Sequence, residues 1–317
     1  MLSADTRPIR QSGGIATLSE RAKLRLTGAD RVRYLNGQVT ANVTRLEPGK
    51  AVPACVTTAK GKLCAEIMVS STGDALIVDA EAELRESLLA RLERYIISDD
   101  VAIEDVTESF ALFHVLPAAG ETLRADPTGA HPSREAKRFG ASGLDFIVPM
   151  AESEASLRDF PGPKALLSSD VMEVLRIEHG VPRWGRELDE NTLPPEAGLD
   201  RTHIDYHKGC YIGQEVISRL KSLGHVNRQL VGFVPADSNA STSASGFGPG
   251  LSVFLESDPV KSVGEITSAA FSIALGTPIA LGYLRRNTPA DALRTRPADA
   301  SLEAGFAVTV RELPFTS

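Results

Sequence analysis

Residues 207–224 read HKGCYIGQEVISRLKSLG, and two kinds of local structure meet inside them. From Gln214 to Leu223 the stretch looks helical, and Gly224 supplies the stop. In front of that helix, Gly209 and Gly213 bracket Cys210, and Lys208 stands two residues before the thiol. A nearby cation and a helix N-terminus both favour the thiolate, the form that attacks electrophiles and binds soft metals. The plainer alternative for a lone cysteine is a buried, inert one.

Moving upstream, His203 and His207 lie four apart with Asp205 between them, which superficially offers metal ligands. Gly198 and Gly209 argue against one helix carrying them, and the chain has no CxxC or HExxH, so no mononuclear metal site is expected. The stretch from Pro182 to Asp205 contains Pro182, Pro194, Pro195, Gly185 and Gly198, too many breakers for regular structure, and reads as an ordered loop or lid. Before it, Asp170 and Glu173 are spaced as a capping box for a helix from Val171 to His179, with Gly180 and Pro182 as stops. Arg176 and Glu178 sit on that helix and Trp184 just beyond it. A carboxylate beside an aromatic ring can hold a flat heterocycle by its N–H edge. A solvated helix face and a core tryptophan explain the same residues.

Nearer the start, Ala22 to Thr27 alternates like a half-buried strand. Thr27 and Asp30 can cap a short helix, Ala29 to Leu35, ended by Asn36-Gly37. Lys62 to Val69 and Ala75 to Val78 read as a hairpin. Between Glu81 and Ile97, Leu84, Leu88, Leu92 and Tyr95 form one apolar helical face. The last ninety or so residues hold short β-like runs parted by Gly, Pro and Ser, the pattern of a small barrel or sandwich. Within them Asp237 to Gly250 reads as a flexible loop, and its glycines do not match a dinucleotide fingerprint.

A chain of 317 residues suits two or three compact units. Its net charge of −7 attracts neither nucleic acid nor anionic membrane. Three cysteines, an odd number, suit a reducing compartment. Met1 to Gly14 has no apolar signal core and no stretch reaches the length of a membrane span, so a cytoplasmic protein is expected.

HKGCYIGQE contains KGCYxGQE, and with it the chain resembles the YgfZ-type folate-binding proteins, relatives of the glycine-cleavage T protein, an aminomethyltransferase. Leu26 to Leu46, Lys60 to Val69, Arg176 to Asp200 and Val263 to Arg286 are similar, in order, to the family's opening segment, central strand, RxEAGxP stretch and C-terminal barrel. The resemblance implies an α+β fold: two antiparallel α+β domains and a C-terminal β-barrel around a central folate channel. The units expected are 1–50 with 140–228, an inserted 51–139, and 229–317. It further implies tetrahydrofolate or a derivative as cofactor, with Glu178 holding the pterin edge and Arg176, Trp184, Tyr211, Gln214 and Glu215 completing the folate-binding set. Cys210 is then the reactive thiol and Lys208 the group that lowers its pKa. The implied role is assembly or repair of iron–sulfur clusters in client enzymes, including radical enzymes that modify tRNA, through client or assembly proteins and without direct nucleic-acid binding. One departure matters: where the T protein carries an Asp-Asp pair, this chain has Ala65-Glu66. Strand alternation sends neighbours to opposite faces, so Glu66 serves only if it occupies the acting position. In that case the alternative is a folate-dependent aminomethyltransferase or methyltransferase.

Overall fold

The computed structural model describes residues 1–126, 129, 131–163, 165–224, 226–236, 246–290, 292–297 and 305–316. Three sheets organise it. The first is five-stranded and antiparallel, in the order β4 (Ala51–Thr57), β5 (Leu63–Ser71), β6 (Leu76–Ala80), β3 (Ala22–Thr27), β7 (Ala102–Asp105). The β5–β6 hairpin turns at Thr72-Gly73-Asp74, as the sequence predicts. Helices α2 (Arg31–Gln38) and α3 (Arg85–Glu93) cover one face, where Leu24, Ile67, Val69 and Val78 meet Tyr34, Leu35, Leu84, Leu88 and Leu92.

The second sheet runs β2 (Gly14–Thr17), β8 (Phe110–Leu116), β10 (Ala141–Pro149), β9 (Ser133–Arg138), again antiparallel. Phe160, just after α4 (Ser153–Asp159), stacks on Phe146 of this sheet. Helix α5 (Ser169–Glu178) packs through Leu175 against Ala16 and Leu116 of this sheet, and through Val174 and Ile177 against the barrel.

The third sheet is a closed six-strand barrel. Strands β11 (Arg228–Pro235), β12 (Leu251–Leu255), β13 (Asp258–Ser272), β14 (Thr277–Arg285), β15 (Leu293–Pro297) and β16 (Phe306–Arg311) join in the order β13-β12-β15-β16-β11-β14, and β14 pairs back to β13. Closure removes the exposed edges an open sandwich would leave. A strand from the other end of the sequence, β1 (Leu2–Ala4), lies parallel to β13 at Ala270–Ser272 and leads into α1 (Arg7–Ser12).

The first two sheets are joined by buried charge. Arg138 of β9 donates to both oxygens of Asp79 in β6 and to both of Asp145 in β10. Arg21 donates to Asp79 at 2.6 Å, and His114 Nδ1 lies 2.7 Å from Asp145. Burial by itself would raise the pKa of either aspartate, but Arg138 pulls both below the ordinary carboxylate range. Paired in this way the charges are tolerated; an unpaired one would cost several kcal/mol, on the order of 3–5.

Several sequence expectations are corrected. The boundaries drawn at residues 50 and 140 do not follow the sheets: β3 pairs with β6 and β7, so the chain enters the five-stranded sheet at Ala22, and the other sheet holds residues 14–17 with 110–149. Helix α2 continues through Asn36-Gly37 to Gln38, and its Asp30 makes no capping bond; the Asp30 carboxylate accepts from Asp100 N instead. The cap of α5 is Ser168, whose hydroxyl accepts from Val171 N. Helix α3 stops at Glu93, which leaves Ile97 90% exposed. Lys23, on the polar side of β3, is fully buried and donates to Ser19 O and Arg21 O. Residues 237–245 of the expected flexible loop lie outside the described residues, and within its remainder Phe247 is buried in the barrel core. Among the described residues no helix is long and apolar enough to cross a membrane.

Candidate functional site

Cys210 is exposed, three residues before Gly213, the N-cap of α6 (Gln214–Leu223). Its loop is fixed from below. Asp205 N donates to Thr40 O, Ile212 N to Gly37 O, and Thr57 Oγ1 to Ile212 O at 2.6 Å. Lys208 turns inward, and its ammonium donates to Asn36 O, Val39 O and Ala41 O at 2.6, 2.7 and 2.5 Å. An ammonium has three N–H donors, and these three carbonyls use them all. Its three donors are thus directed at carbonyls around the end of α2, and it ties the loop down. Burial lowers its pKa to about 8, with the Asp205 charge opposing the shift. Gly213 has φ +91°, and a Cβ there would lie 2.5 Å from Thr57 Oγ1, so the close approach of α6 to the β4–β5 turn requires glycine.

The other cysteines differ. Cys55 is buried and its thiol pKa is pushed up by burial; Cys64 is half-buried and raised for the same reason. Tyr211 is buried with its ring 5.3 Å from the Lys208 ammonium, and its hydroxyl has no hydrogen-bond partner among the described residues. Gln214 is half-buried at the first turn of α6. Glu215 is 83% exposed and pairs with Arg219 at 2.7 Å, an ordinary surface ion pair.

Glu178 and Arg176 are both buried and hydrogen-bonded within the protein. The Glu178 side chain is 0% exposed. Thr6 Oγ1 donates toward its two oxygens, Arg10 Nη2 to Oε2 at 2.9 Å, and Ser272 Oγ to Oε1. Three donors, the Thr6 and Ser272 hydroxyls and the Arg10 guanidinium, converge on a carboxylate with no exposed surface, so in this structure it has no opening toward a pterin edge. Arg176 uses all five guanidinium donors on Glu173 (twice), Glu187, Val181 O and Ser268. Trp184 is half-buried where the core of the five-stranded sheet meets a cluster of Cys55, Leu63, Leu188 and Tyr283.

A different carboxylate is open. Ala65 faces the core of the five-stranded sheet, and Glu66, one residue on, faces the other way. It pairs across to Cys55 and shares its face with Met68, the partner of Asp79. His203 Nε2 lies 3.1 Å from Glu66 Oε1, and Thr202 Oγ1 lies 2.7 Å from His203 Nδ1. The Glu66 and His203 side chains are 23% and 12% exposed. Burial would raise the pKa of Glu66, but the His203 hydrogen bond and the charges of His203 and Arg21 bring it below its ordinary value. Sequence reasoning had Glu66 in view through strand alternation but read His203 only as a doubtful ligand; nothing in the local pattern links residues 137 positions apart. Among the described residues no three His, Cys, Asp or Glu side chains are grouped to hold a metal ion.

Comparison with known proteins agrees with this architecture. Residues 1–142 match the GCVT N-terminal domain, and residues 228–315 the glycine cleavage T-protein C-terminal barrel domain. An aminomethyltransferase of Rubrobacter xylanophilus is 26% identical over 336 residues, covering 99% of this chain and 83% of that protein. The tRNA-modifying protein YgfZ of Yersinia pestis is 28% identical over 244 residues, covering 70% and 72%. The mitochondrial iron-sulfur cluster assembly factor IBA57 homolog of Dictyostelium discoideum is 23% identical over 253 residues, covering 68% of this chain and 61% of that protein. The crystal structure of the glycine cleavage system aminomethyltransferase T from Bartonella henselae superposes with a TM-score of 0.81 at 16% identity, over 97% of this chain and 87% of that one, which is a likeness of fold.

Proposed function

The chain is a YgfZ-type relative of the aminomethyltransferases, and from that premise we propose that it binds a reduced folate and assists assembly or repair of iron–sulfur clusters in client enzymes, tRNA-modifying radical enzymes among them. The names of the YgfZ and IBA57 relatives, a tRNA-modifying protein and an iron-sulfur cluster assembly factor, support the cluster and tRNA context. The observation that carries the reading is the exposed Cys210 on a loop tied to the body of the protein by backbone carbonyls. A sealed thiol could not meet a client.

Once its proton has passed to water, the Cys210 thiolate can displace a ligand at a client's iron, forming S–Fe. It can also attack a client disulfide, forming one S–S bond as another breaks and a client thiolate leaves. A four-iron cluster takes about four thiolate ligands, so Cys210 supplies one and the client or an assembly protein the rest. For the folate, the donor set fits Glu66 better than Glu178: Glu66 Oε2 has no protein partner among the described residues and can accept an N–H from the ring. Trp184 is the aromatic wall we assign to the same ligand.

The test replaces the native protein in cells by Cys210→Ser. Activity of cluster-dependent enzymes falls while the purified variant binds tetrahydrofolate as the native protein does; full enzyme activity would refute the role of the thiol. A second reading, aminomethyl transfer, is favoured by the outward-facing Glu66 alone. It requires methylene-folate formation from an aminomethyl donor, lost on Glu66→Gln and kept on Cys210→Ser. No turnover with any such donor removes it.

A further inference from the structure

His203 belongs to none of the roles above, yet it is held from several sides. Its N–H donates to Leu199 O, and its carbonyl accepts from Thr40 Oγ1 at 2.6 Å. The same Thr40 hydroxyl accepts from Cys55 N at 2.8 Å, and Cys55 is the cross-strand partner of Glu66. Thr40 is fully buried and thus ties the backbone of His203 to the strand beside the one that carries Glu66. The ring is then fixed at both nitrogens, by Thr202 at Nδ1 and Glu66 at Nε2. A surface ion pair has no such support and contributes little. A histidine whose backbone and ring are both anchored acts as an orienting group, the arrangement by which a supporting shell fixes a reacting carboxylate.

The pair is also asymmetric. Oε1 is taken by His203, whereas Oε2 has no protein partner among the described residues. With His203 on one oxygen, rotation of the carboxylate is restrained and the free oxygen keeps one direction. We infer that His203 is the positioning residue of a binding site in which Glu66 Oε2 accepts an N–H from the heterocycle of a reduced folate, His203 acting only through Glu66. This rests on the folate reading above and adds to it the residue that sets the geometry. The Glu66 carboxylate, which only accepts, requires the N–H at Nε2, and the Thr202 hydroxyl can then donate to Nδ1.

The inference is tested by a double-mutant cycle read by calorimetric titration with tetrahydrofolate, on the full-length protein. Glu66→Gln and His203→Leu each weaken binding, by about tenfold for the loss of one charge-assisted contact or its orienting partner. Their combination weakens it no further, because His203 has nothing to position once the carboxylate is gone. His203→Gln, which keeps an N–H near the position of Nε2, restores most of the affinity, a rescue that a merely structural role would not give. If the two losses multiply, or if His203→Leu binds as the native protein does, the inference is overturned while the folate reading stands. If the native protein gives no binding heat, the folate reading falls and the inference with it. Should His203→Leu fold poorly by its melting temperature, the comparison of His203→Gln with Glu66→Gln decides: equal losses in both would refute positioning by the ring N–H.

Discussion

Replacing Lys208 by Met tests the carbonyl clamp most directly. Methionine keeps the apolar stem of the side chain but removes the charge and the donors to Asn36 O, Val39 O and Ala41 O. Hydrogen bonds to a charged group are worth about 1.5–3 kcal/mol each. The ammonium is buried, so several kcal/mol of desolvation offset their sum. The net loss expected is about 3 kcal/mol, which at roughly 2–4 °C per kcal/mol lowers the melting temperature by about 6–12 °C. Two assays read it: a calorimetric melt, and site-resolved alkylation of Cys210 as a function of pH. With Lys208 as a clamp, the melt shifts and amide exchange rises across residues 205–212, while the pH midpoint of Cys210 alkylation stays where it is. The reverse outcome, an unchanged melting temperature with the alkylation midpoint moved to higher pH, would refute the clamp and restore Lys208 as the activator of the thiol.

Glu178→Gln removes the charge that Arg10, Thr6 and Ser272 converge on and should cost about 2 kcal/mol, moderated because Arg10 can relax into water, while tetrahydrofolate affinity is unchanged; a calorimetric titration showing lost affinity would return Glu178 to the site. Asp79 and Asp145 have folded pKa values depressed below 3.8, so the unfolded chain binds more protons in acid, and their stabilisation, complete above that value, is lost as pH falls through it and below. The urea midpoint should drop between about pH 5 and pH 2, and Asp145→Asn should flatten that slope; an unaltered slope excludes this network as its cause. With a thiol reagent at neutral pH, Cys210 reacts first, Cys64 slowly and Cys55 only on unfolding, and mass spectrometry of the native protein would expose any other order.

The parts of this fold that a reader of the sequence can find are those fixed by near neighbours. The β5–β6 hairpin, the span of α6 with its closing Gly224, and the run of short barrel strands follow from periodicity and turn residues. Strand β15, LRTRP, is the least legible of them, because alternating arginines and a terminal proline read as loop. The site was less legible. Cys210 stood out because its glycines and helix are local, and its exposure agrees with a reacting thiol. The roles of Lys208 and Glu178 depended on partners more than 160 residues away, namely Asn36, Val39 and Ala41 for one and Thr6 and Arg10 for the other. Ser168 in place of Asp170 as a cap shows the same limit at short range, since both residues satisfy the rule and only tertiary packing chose between them.

The junction around Glu178 has a bearing on how the molecule is made. Leu2 to Ala4 find their partner at Ala270–Ser272, Thr6 and Arg10 meet at Glu178, Arg10 also reaches Thr316, and Phe315 N donates to the Glu178 carbonyl. The ribosome delivers the first of these pieces more than 260 residues before its partner in β13. At about 5–20 residues per second, the earliest strand waits on the order of 15–50 seconds for its mate. During that interval its hydrogen-bonding edge and the cation of Arg10 lack these counterparts, so the ring of contacts closes only after the strand β13 and the segment around Thr316 have been made.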